Sequence, residues 1–311
     1  MAEPLSYVLI TPARNEESHI EKTILSVVSQ TILPRAWIIV SDGSTDRTDD
    51  IAASHARRHR WIRLVRLPER RDRHFAAKVQ AFNAGREQLG PIGYDIIGNL
   101  DADISFEKDY LAFLLGKFAE DPRLGVAGTP FVEDGFAGYD YQFTNVEHVS
   151  GACQLFRREC FAEIGGYTPL KWGGIDWLAV TTARMKGWRT RSFPEMSCRH
   201  HRTIGTAAGS VYTARFKNGL KDYRLGSHPL WHSFRCAYQM KNRPYIAGGL
   251  MLLLGYFWGM ISRAERSVTP ELVAFYRSEQ MGRFRNVLKR IPRVPGAATP
   301  ERRVKGGRKA C

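Results

Sequence analysis

Asp95–Ser105 reads DIIGNLDADIS, a short apolar run ending in two carboxylates one residue apart. Ile96, Ile97 and Leu100 predict a buried strand, and Asp101 and Asp103 fall where that strand ends. Two carboxylates so spaced can share one divalent cation, whose charge in turn neutralises phosphate oxygens. The same pattern suits a polar turn behind a buried strand, where Asp is common. The neighbouring segments decide between the two readings.

Upstream, Tyr7–Thr11 (YVLIT) predicts a buried strand that breaks at Pro12 and leads into the polar loop Ala13–Glu17. From Ser18 the pattern turns helical, with Ile20, Ile24, Leu25 and Val28 on one side. Trp37–Val40 predicts a second strand, followed by Ser41–Asp46 (SDGSTD), where Ser44 or Thr45 is placed to cap the next helix. Strand, polar loop and helix thus recur, the pattern of a parallel sheet whose ligands sit beyond the C-terminal strand ends. Asp42 can accept a hydrogen bond from a base or ribose, or serve as an ordinary turn residue. The arginine-rich stretch His55–His74 reads mostly as a solvated face around a strand at Trp61–Val65. The helix that follows, FAAKVQAFNAGREQL, carries Lys78 near its N-terminal end, where phosphates can be held.

The order PARNEE (Pro12–Glu17), IIVSDGSTD (Ile38–Asp46), AKVQAFNAG (Ala77–Gly85) and NLDAD (Asn99–Asp103) resembles the N-terminal half of a family 2 glycosyltransferase. The resemblance implies the α/β GT-A fold: a Rossmann-like, mostly parallel central sheet flanked by helices, here with a helical C-terminal extension. It also implies that Pro12, Arg14 and Glu16 line a nucleotide pocket, that Asp42 meets the base, and that Arg73 and Lys78 lie near base and phosphates. Asp101 would sit near ribose and metal, with Asp103 as the direct ligand of Mg²⁺ or Mn²⁺. Ala77 stands where the family usually has glycine.

Further on, Tyr110–Phe118 reads as an amphipathic helix and Gly125–Val132 as a strand, while residues 133–147 read as an acceptor-facing loop. Gly151–Tyr167 (GACQLFRRECFAEIGGY) resembles the family's acceptor-side segment, and Arg157 and Arg158 face an anionic acceptor or solvent. Gly173–Trp188 (GGIDWLAVTTARMKGW) resembles the family's acidic pair ahead of a helix closing with Gly-Trp. Counting back from that close puts the general base at Asp176, with Ile175 where Glu is common and Trp177 as a candidate acceptor contact. One carboxylate suffices to take the acceptor hydroxyl's proton. Leu178, Thr182 and Ala183 depart from the family pattern. After a strand at Arg189–Phe193 come His200, His201 and Arg202. Neighbours on an extended chain face opposite sides, so one histidine is a candidate metal or diphosphate ligand and the other structural. Arg202 is a candidate diphosphate contact.

Composition narrows the partners. With 43% hydrophobic and 25% charged residues, the 311-residue chain has material for a large core. Its formal charge of +15 favours anionic partners. Five cysteines without short paired spacing argue against a zinc ribbon or disulfide scaffold and fit a reducing compartment. No secretory signal is visible at the N-terminus. Tyr245–Ile261 is uncharged and mostly apolar, contains Gly255 and Gly259 as GxxxG, and at 17 residues sits at the short limit for a membrane span. Beyond it, thirteen Lys and Arg face four Glu, a basic flank suited to an anionic leaflet.

The expected organisation is a transferase domain at 1–240, its nucleotide-binding half to about 105 and its acceptor half from about 106, a membrane-associating extension at 241–291 and a disordered basic tail at 292–311. The expected activity is inverting, metal-dependent transfer from a nucleoside diphosphate sugar, UDP first, to a hydroxyl of a lipid-linked or polysaccharide glycan. The expected place is the cytoplasmic face of a bacterial inner membrane. Two other readings compete. A nucleotidyltransferase wants a glycine-rich basic loop after the first strand, which PARNEE is not. A nucleic-acid binder fits the charge, but the carboxylates gather in the cleft and no nucleic acid is expected as partner.

Overall fold

The computed structural model of the chain describes residues 5–69, 75–133, 146–202, 210–241 and 243–290. Arg73, nearly all of the acceptor-facing loop at 133–147 and the tail at 292–311 lie outside the described residues. Strands β1 (Tyr7–Ala13), β2 (Ala36–Asp42), β3 (Ile62–Leu67) and β4 (Ile96–Leu100) are connected by helices α1 (Ile20–Val28), α2 (Thr48–Arg58) and α3 (Phe75–Glu87). Then come β5 (Ile104–Ser105), α4 (Tyr110–Glu120), β6 (Leu124–Gly128), β7 (Phe131–Val132) and β8 (Cys153–Arg157). They lead to α5 (Arg158–Glu163), α6 (Ile175–Met185), β9 (Arg189–Ser192) and β10 (Cys198–His200). The chain continues as α7 (Val211–Arg224), α8 (Pro229–Gln239), α9 (Tyr245–Ile261) and α10 (Pro270–Arg290).

Near-continuous apolar runs in β1 and β2 predict burial on both sheet faces, and both faces are covered. Tyr7, Leu9, Trp37 and Ile39 point into one core, shared with α1 and α4; Val8, Ile10, Ile38 and Val40 point into the other, shared with α3 and α6. The central sheet runs β3-β2-β1-β4-β8-β6-β9, with β8 antiparallel to its neighbours and the other pairings parallel. Because Ala13 pairs with Ser41 and Ile10 with Asn99, the loops after β1, β2 and β4 emerge side by side at one edge. A small sheet, β5-β10-β7, lies beyond that edge and pairs His200 with Ile104.

Two local expectations change. The segment Gly125–Val132 is two strands, separated at Thr129-Pro130 so that β6 serves the large sheet and β7 the small one. Helix α2 begins at Thr48, and Ser44 and Thr45 do not cap it. They bind the first loop instead: Ser44 Oγ accepts from Asn15 N at 3.2 Å, and Asn15 Oδ1 accepts from Thr45 N at 2.9 Å. Asp46 takes over at the helix start, accepting from Thr48 N at 3.0 Å.

The C-terminal helices pack as a group. Among the described residues no helix is long and apolar enough to cross a membrane. One side of α9 lies on α7 and α8, the former assigned by sequence to the acceptor half. The two glycines of GxxxG are spent on this contact: a Cβ on Gly255 would overlap the Phe216 carbonyl oxygen, and Gly259 abuts Leu220 and Tyr223. Gly219 of α7 answers from the other side against the Leu252 carbonyl. The outer side of α9 is apolar and open, with Ile246 63%, Leu254 56% and Trp258 58% exposed. Arg184 of α6 and Glu279 of α10 join this group to the sheet domain through two hydrogen bonds of 2.8 and 3.0 Å. Backbone cannot yield as a side-chain tip does, so Gly219→Ala is expected to destabilise the chain by at least about 1–3 kcal/mol. Thermal denaturation checks this, with the exposed Ala247→Ser on α9 as a control that should leave the melting temperature close to wild type.

Candidate active site

The edge where β1, β2 and β4 end is also where the sequence concentrates its acids. Glu16 and Asp42 are buried there, Asp103 likewise, and Asp101 and Arg14 are half-buried. Pro12 is half-buried near the end of β1, beside its partner Val40. A cavity of about 290 Å³ opens beside them, lined by Lys78, Asp101, Asp176 and His200, with Asn99, Gln154 and Tyr167 completing its wall.

Each lining group is fixed by a neighbour. Lys78 Nζ donates to Asp101 Oδ1, joining the first turn of α3 to the end of β4. Asn99 donates through Nδ2 to the Gly151 carbonyl at 2.8 Å, and Asp101 N donates to the Ala152 carbonyl at 2.9 Å. These bonds lock the carboxylate loop to the start of β8. Gln154, fully buried, donates to the Val149 carbonyl at 2.8 Å and accepts from Tyr167 Oη at 2.7 Å. Asp176 stands in the first turn of α6, whose N-terminal dipole favours a carboxylate. Gly151 faces it closely: a Cβ there would lie 3.1 Å from Asp176 Cβ.

The strand β10 separates the adjacent histidines. His200 Nε2 lies 3.5 Å from Asp103 Oδ2 and its Nδ1 3.0 Å from Glu133 Oε1. His201 turns the other way, with Nε2 2.8 Å from Ser105 Oγ and its ring stacked on His19 at 5.9 Å. Arg202 donates to Glu16 Oε2 at 2.7 Å and stands 3.9 Å from Asp103 Oδ2.

Three carboxylates therefore crowd a poorly hydrated space. Burial, with Asp103's charge adding to it and Arg202 opposing, pushes Glu16 up to about 7. Burial and the charge of Asp103 also raise Asp101, against the pull of Lys78. For Lys78 burial alone acts downward, but the charge and hydrogen bond of Asp101 outweigh it, so the ammonium is held above its ordinary range. The donor set fits a hard divalent cation: an Asp carboxylate and an imidazole side by side, amid negative charge that a cation relieves. Such a cation needs few protein ligands, since phosphates and water supply the rest. No group of three or more His, Cys, Asp or Glu that could hold a metal ion occurs among the described residues.

Some residues singled out by sequence lie elsewhere. Because β8 runs antiparallel to β4, Arg157 pairs with Ile96, at the end of the sheet opposite the carboxylates. Its guanidinium donates to the carbonyls of Phe118 and Leu124 at 2.7 and 3.2 Å, and Arg158 lies over the Tyr94 ring. Trp177 packs edge-on against Tyr276 at 4.6 Å, outside the cavity that Asp176 lines. Conversely, Gln154, Tyr167 and Glu133 were not singled out. Gln154 alone left a signal, a polar residue amid the apolar run of β8.

Residues 8–140 match the family model Glycosyl transferase family 2. The poly-beta-1,6-N-acetyl-D-glucosamine synthase of Staphylococcus aureus (strain COL) is 31% identical over 121 residues, 39% of this chain and 27% of that protein. The synthase of the same name from Staphylococcus epidermidis is 29% identical over 133 residues, 42% of this chain and 30% of that protein. The chain thus spans less than a third of the length of these curated relatives. Among solved structures, the mannosyltransferase PcManGT from Pyrobaculum calidifontis in complex with GDP-Man and Mn²⁺ superposes with a TM-score of 0.55 at 19% identity, covering 93% of this chain and 83% of that one. S. aureus TarS 1-349 in complex with UDP-GlcNAc gives 0.54 at 15%, covering 90% and 80%. GalNAc-T7 with UDP, GalNAc and Mn²⁺ gives 0.56 at 16%, covering 90% and 55%. The ordered loops, the sheet that brings them together and these likenesses converge: residues 8–140 resemble the glycosyl transferase family 2, and the chain shares the α/β GT-A fold of these solved structures.

Proposed function

We propose that the chain transfers a sugar, with inversion, from a nucleoside diphosphate sugar to a hydroxyl of a glycan or lipid-linked acceptor. The observation that carries the reading is the single cavity lined by Lys78, Asp101, Asp176 and His200 at the C-terminal edge of parallel strands. In this reading Pro12, Arg14, Glu16 and Asp42 form the nucleoside side. Lys78 carries positive charge toward the diphosphate, and Arg202 steadies Glu16 and Asp103. Asp103 and His200 are the residues to hold Mg²⁺ or Mn²⁺, with Asp101 beside them, while His201 orients the strand through Ser105. When bound, the cation neutralises the leaving diphosphate.

Asp176 does the proton work. As the acceptor oxygen attacks the anomeric carbon from the face opposite the leaving group, its proton passes to the Asp176 carboxylate. The bond to the diphosphate oxygen breaks and the nucleotide departs with that electron pair. A uridine donor is favoured because TarS and GalNAc-T7 are both bound to uridine nucleotides in the structures above. The synthase relatives and the open apolar side of α9 support an acceptor met at the cytoplasmic face of a bacterial inner membrane, with the chain lying on the surface.

Asp176→Asn keeps the shape of the site but not the base, so transfer is expected to fall about 10²–10⁴-fold with nucleotide binding retained. Turnover and thermal shift, measured on one preparation, check it; undiminished transfer would sink the assignment. Asp103→Ala is expected to abolish the Mn²⁺-dependent part of the thermal shift given by UDP and UDP-sugars, while a metal-independent shift persists. An unchanged Mn²⁺ dependence would remove Asp103 from the metal role. For the surface reading, Leu250→Ser with Leu254→Ser and Trp258→Ser removes apolar groups worth about 1.5–3 kcal/mol each when buried. Co-sedimentation with phosphatidylglycerol-containing vesicles should then fall to background, and equal sedimentation of variant and wild type would refute it.

A further inference from the structure

A second cavity, about 420 Å³, adjoins the first across the opening turn of α6: Asp176 lines the one and Trp177 the other. Arg184, Arg215, Lys221, Arg235 and Arg283 all face into it. These cations come from α6, α7, α8 and α10, so the fold gathers them; they are not the solvated face of one charged helix. Three carboxylates pair with them, of which Asp222 alone lines the cavity. Asp222 pairs with Arg235, Glu279 with Arg184, and Glu147 Oε2 with Arg283 at 3.1 Å. Arg215 and Lys221 form no ion pair with a carboxylate among the described residues. Arg215 reaches only neutral oxygens, Gln239 Oε1 at 3.5 Å and the Arg243 carbonyl at 3.4 Å. Among the described residues, two positive charges thus remain without a carboxylate partner in a half-enclosed space walled by Trp231 and Tyr276.

His148 links the two cavities. It lines the second, and burial lowers its basicity, with the charges of Arg184, Arg283 and Lys221 adding to that effect and the charge of Asp176 opposing it. An anion seated among these cations therefore lies close to the base that activates the acceptor. A phosphate ester carries about −1.5 to −2 charge at pH 7, which matches the charges of Arg215 and Lys221. The cavity also reaches α9: Leu252 lines it, and Arg215 Nε lies 3.9 Å from where a Cβ on Gly248 would be. Ile246 and Leu250 of the open apolar side flank that turn.

We infer that this cavity seats a phosphate group carried by the acceptor, held by Arg215 and Lys221 while the acceptor's hydroxyl reaches Asp176. The inference rests on the transfer reading above and names the chemistry of the acceptor that reading left open. The route toward α9 favours a phosphate attached to an apolar chain over one in a polar polymer.

The test is calorimetric titration of the full chain, with excess UDP present, using decyl phosphate and inorganic phosphate as probes. Wild type is expected to bind decyl phosphate, and Arg215→Gln combined with Lys221→Gln to bind it about tenfold or more weakly. Lys217→Gln removes one charge from an exposed position of α7 outside the cavity and should bind as wild type does. An unchanged melting temperature shows that the double variant is folded. Inorganic phosphate binding as tightly as decyl phosphate would assign the site to a phosphate of a polar polymer; tighter binding of decyl phosphate assigns it to a lipid phosphate. Absence of binding by both probes, equal binding by the double variant, or equal weakening by Lys217→Gln would overturn the proposal. The transfer reading fails separately, as absence of nucleotide-sugar binding in wild type; phosphate binding would then persist without an acceptor role.

Discussion

Two residues of β5, paired antiparallel with β10, hold the carboxylate loop against a segment far along the chain. The His201 amide donates to the Asp103 carbonyl at 2.8 Å, closing the same junction. Without this short ladder His200 would have no reason to lie beside Asp103, and Arg202 would not reach Glu16. The large sheet sets where the loops emerge. The small sheet decides which late residues meet them, and it does so with backbone hydrogen bonds that are indifferent to the side chains being delivered.

The charges in and around the site are arranged by opposites. Glu16, Asp101 and Asp103 repel one another in the cleft, and Lys78 and Arg202 offset that only in part. Across the first turn of α6 the imbalance is reversed, with cations in excess. Asp176 lies at the boundary between the two regions. On the proposed reading, a donor that brings a cation and an acceptor that brings an anion would each be drawn to their own side, and the reacting hydroxyl and anomeric carbon would meet between them. Long-range fields of this kind raise the local concentration of charged substrates and weaken with salt.

Much of the fold was legible because burial writes itself into sequence. YVLIT and WIIV read as strands since both sheet faces are covered, and the polar loops that follow read as ligand-side loops because parallel strands all end at one edge. Other features depended on partners that no local pattern names. Which of His200 and His201 stands beside Asp103 follows from the register of β10 on β5. Arg157 and Arg158 could not be oriented until β8 proved antiparallel, which sent them to the far end of the sheet. The GxxxG of α9 carries the same signal whether it meets another chain in a membrane or α7 of its own chain, and only the carbonyl of Phe216 beside Gly255 tells the two apart. The basic cavity was illegible for the same reason: its cations are spread from residue 184 to residue 283, and each alone reads as surface charge.

The forked contact between Arg184 and Glu279 has a bearing on how the C-terminal helices are regarded. Arg184 belongs to the helix whose first turn carries Asp176, and its side chain also bonds the Glu147 carbonyl at 3.2 Å and Thr190 Oγ1 at 3.3 Å. Its guanidinium is largely shielded from water, so losing Glu279 leaves a charge without its counter-ion, a defect that costs about 3–5 kcal/mol when fully buried. Helix α10 is therefore a brace for α6. On the proposed reading, shortening the chain ahead of α10 would disturb the helix that carries Asp176 as well as any attachment, and a loss of turnover in such a fragment would say nothing about membranes.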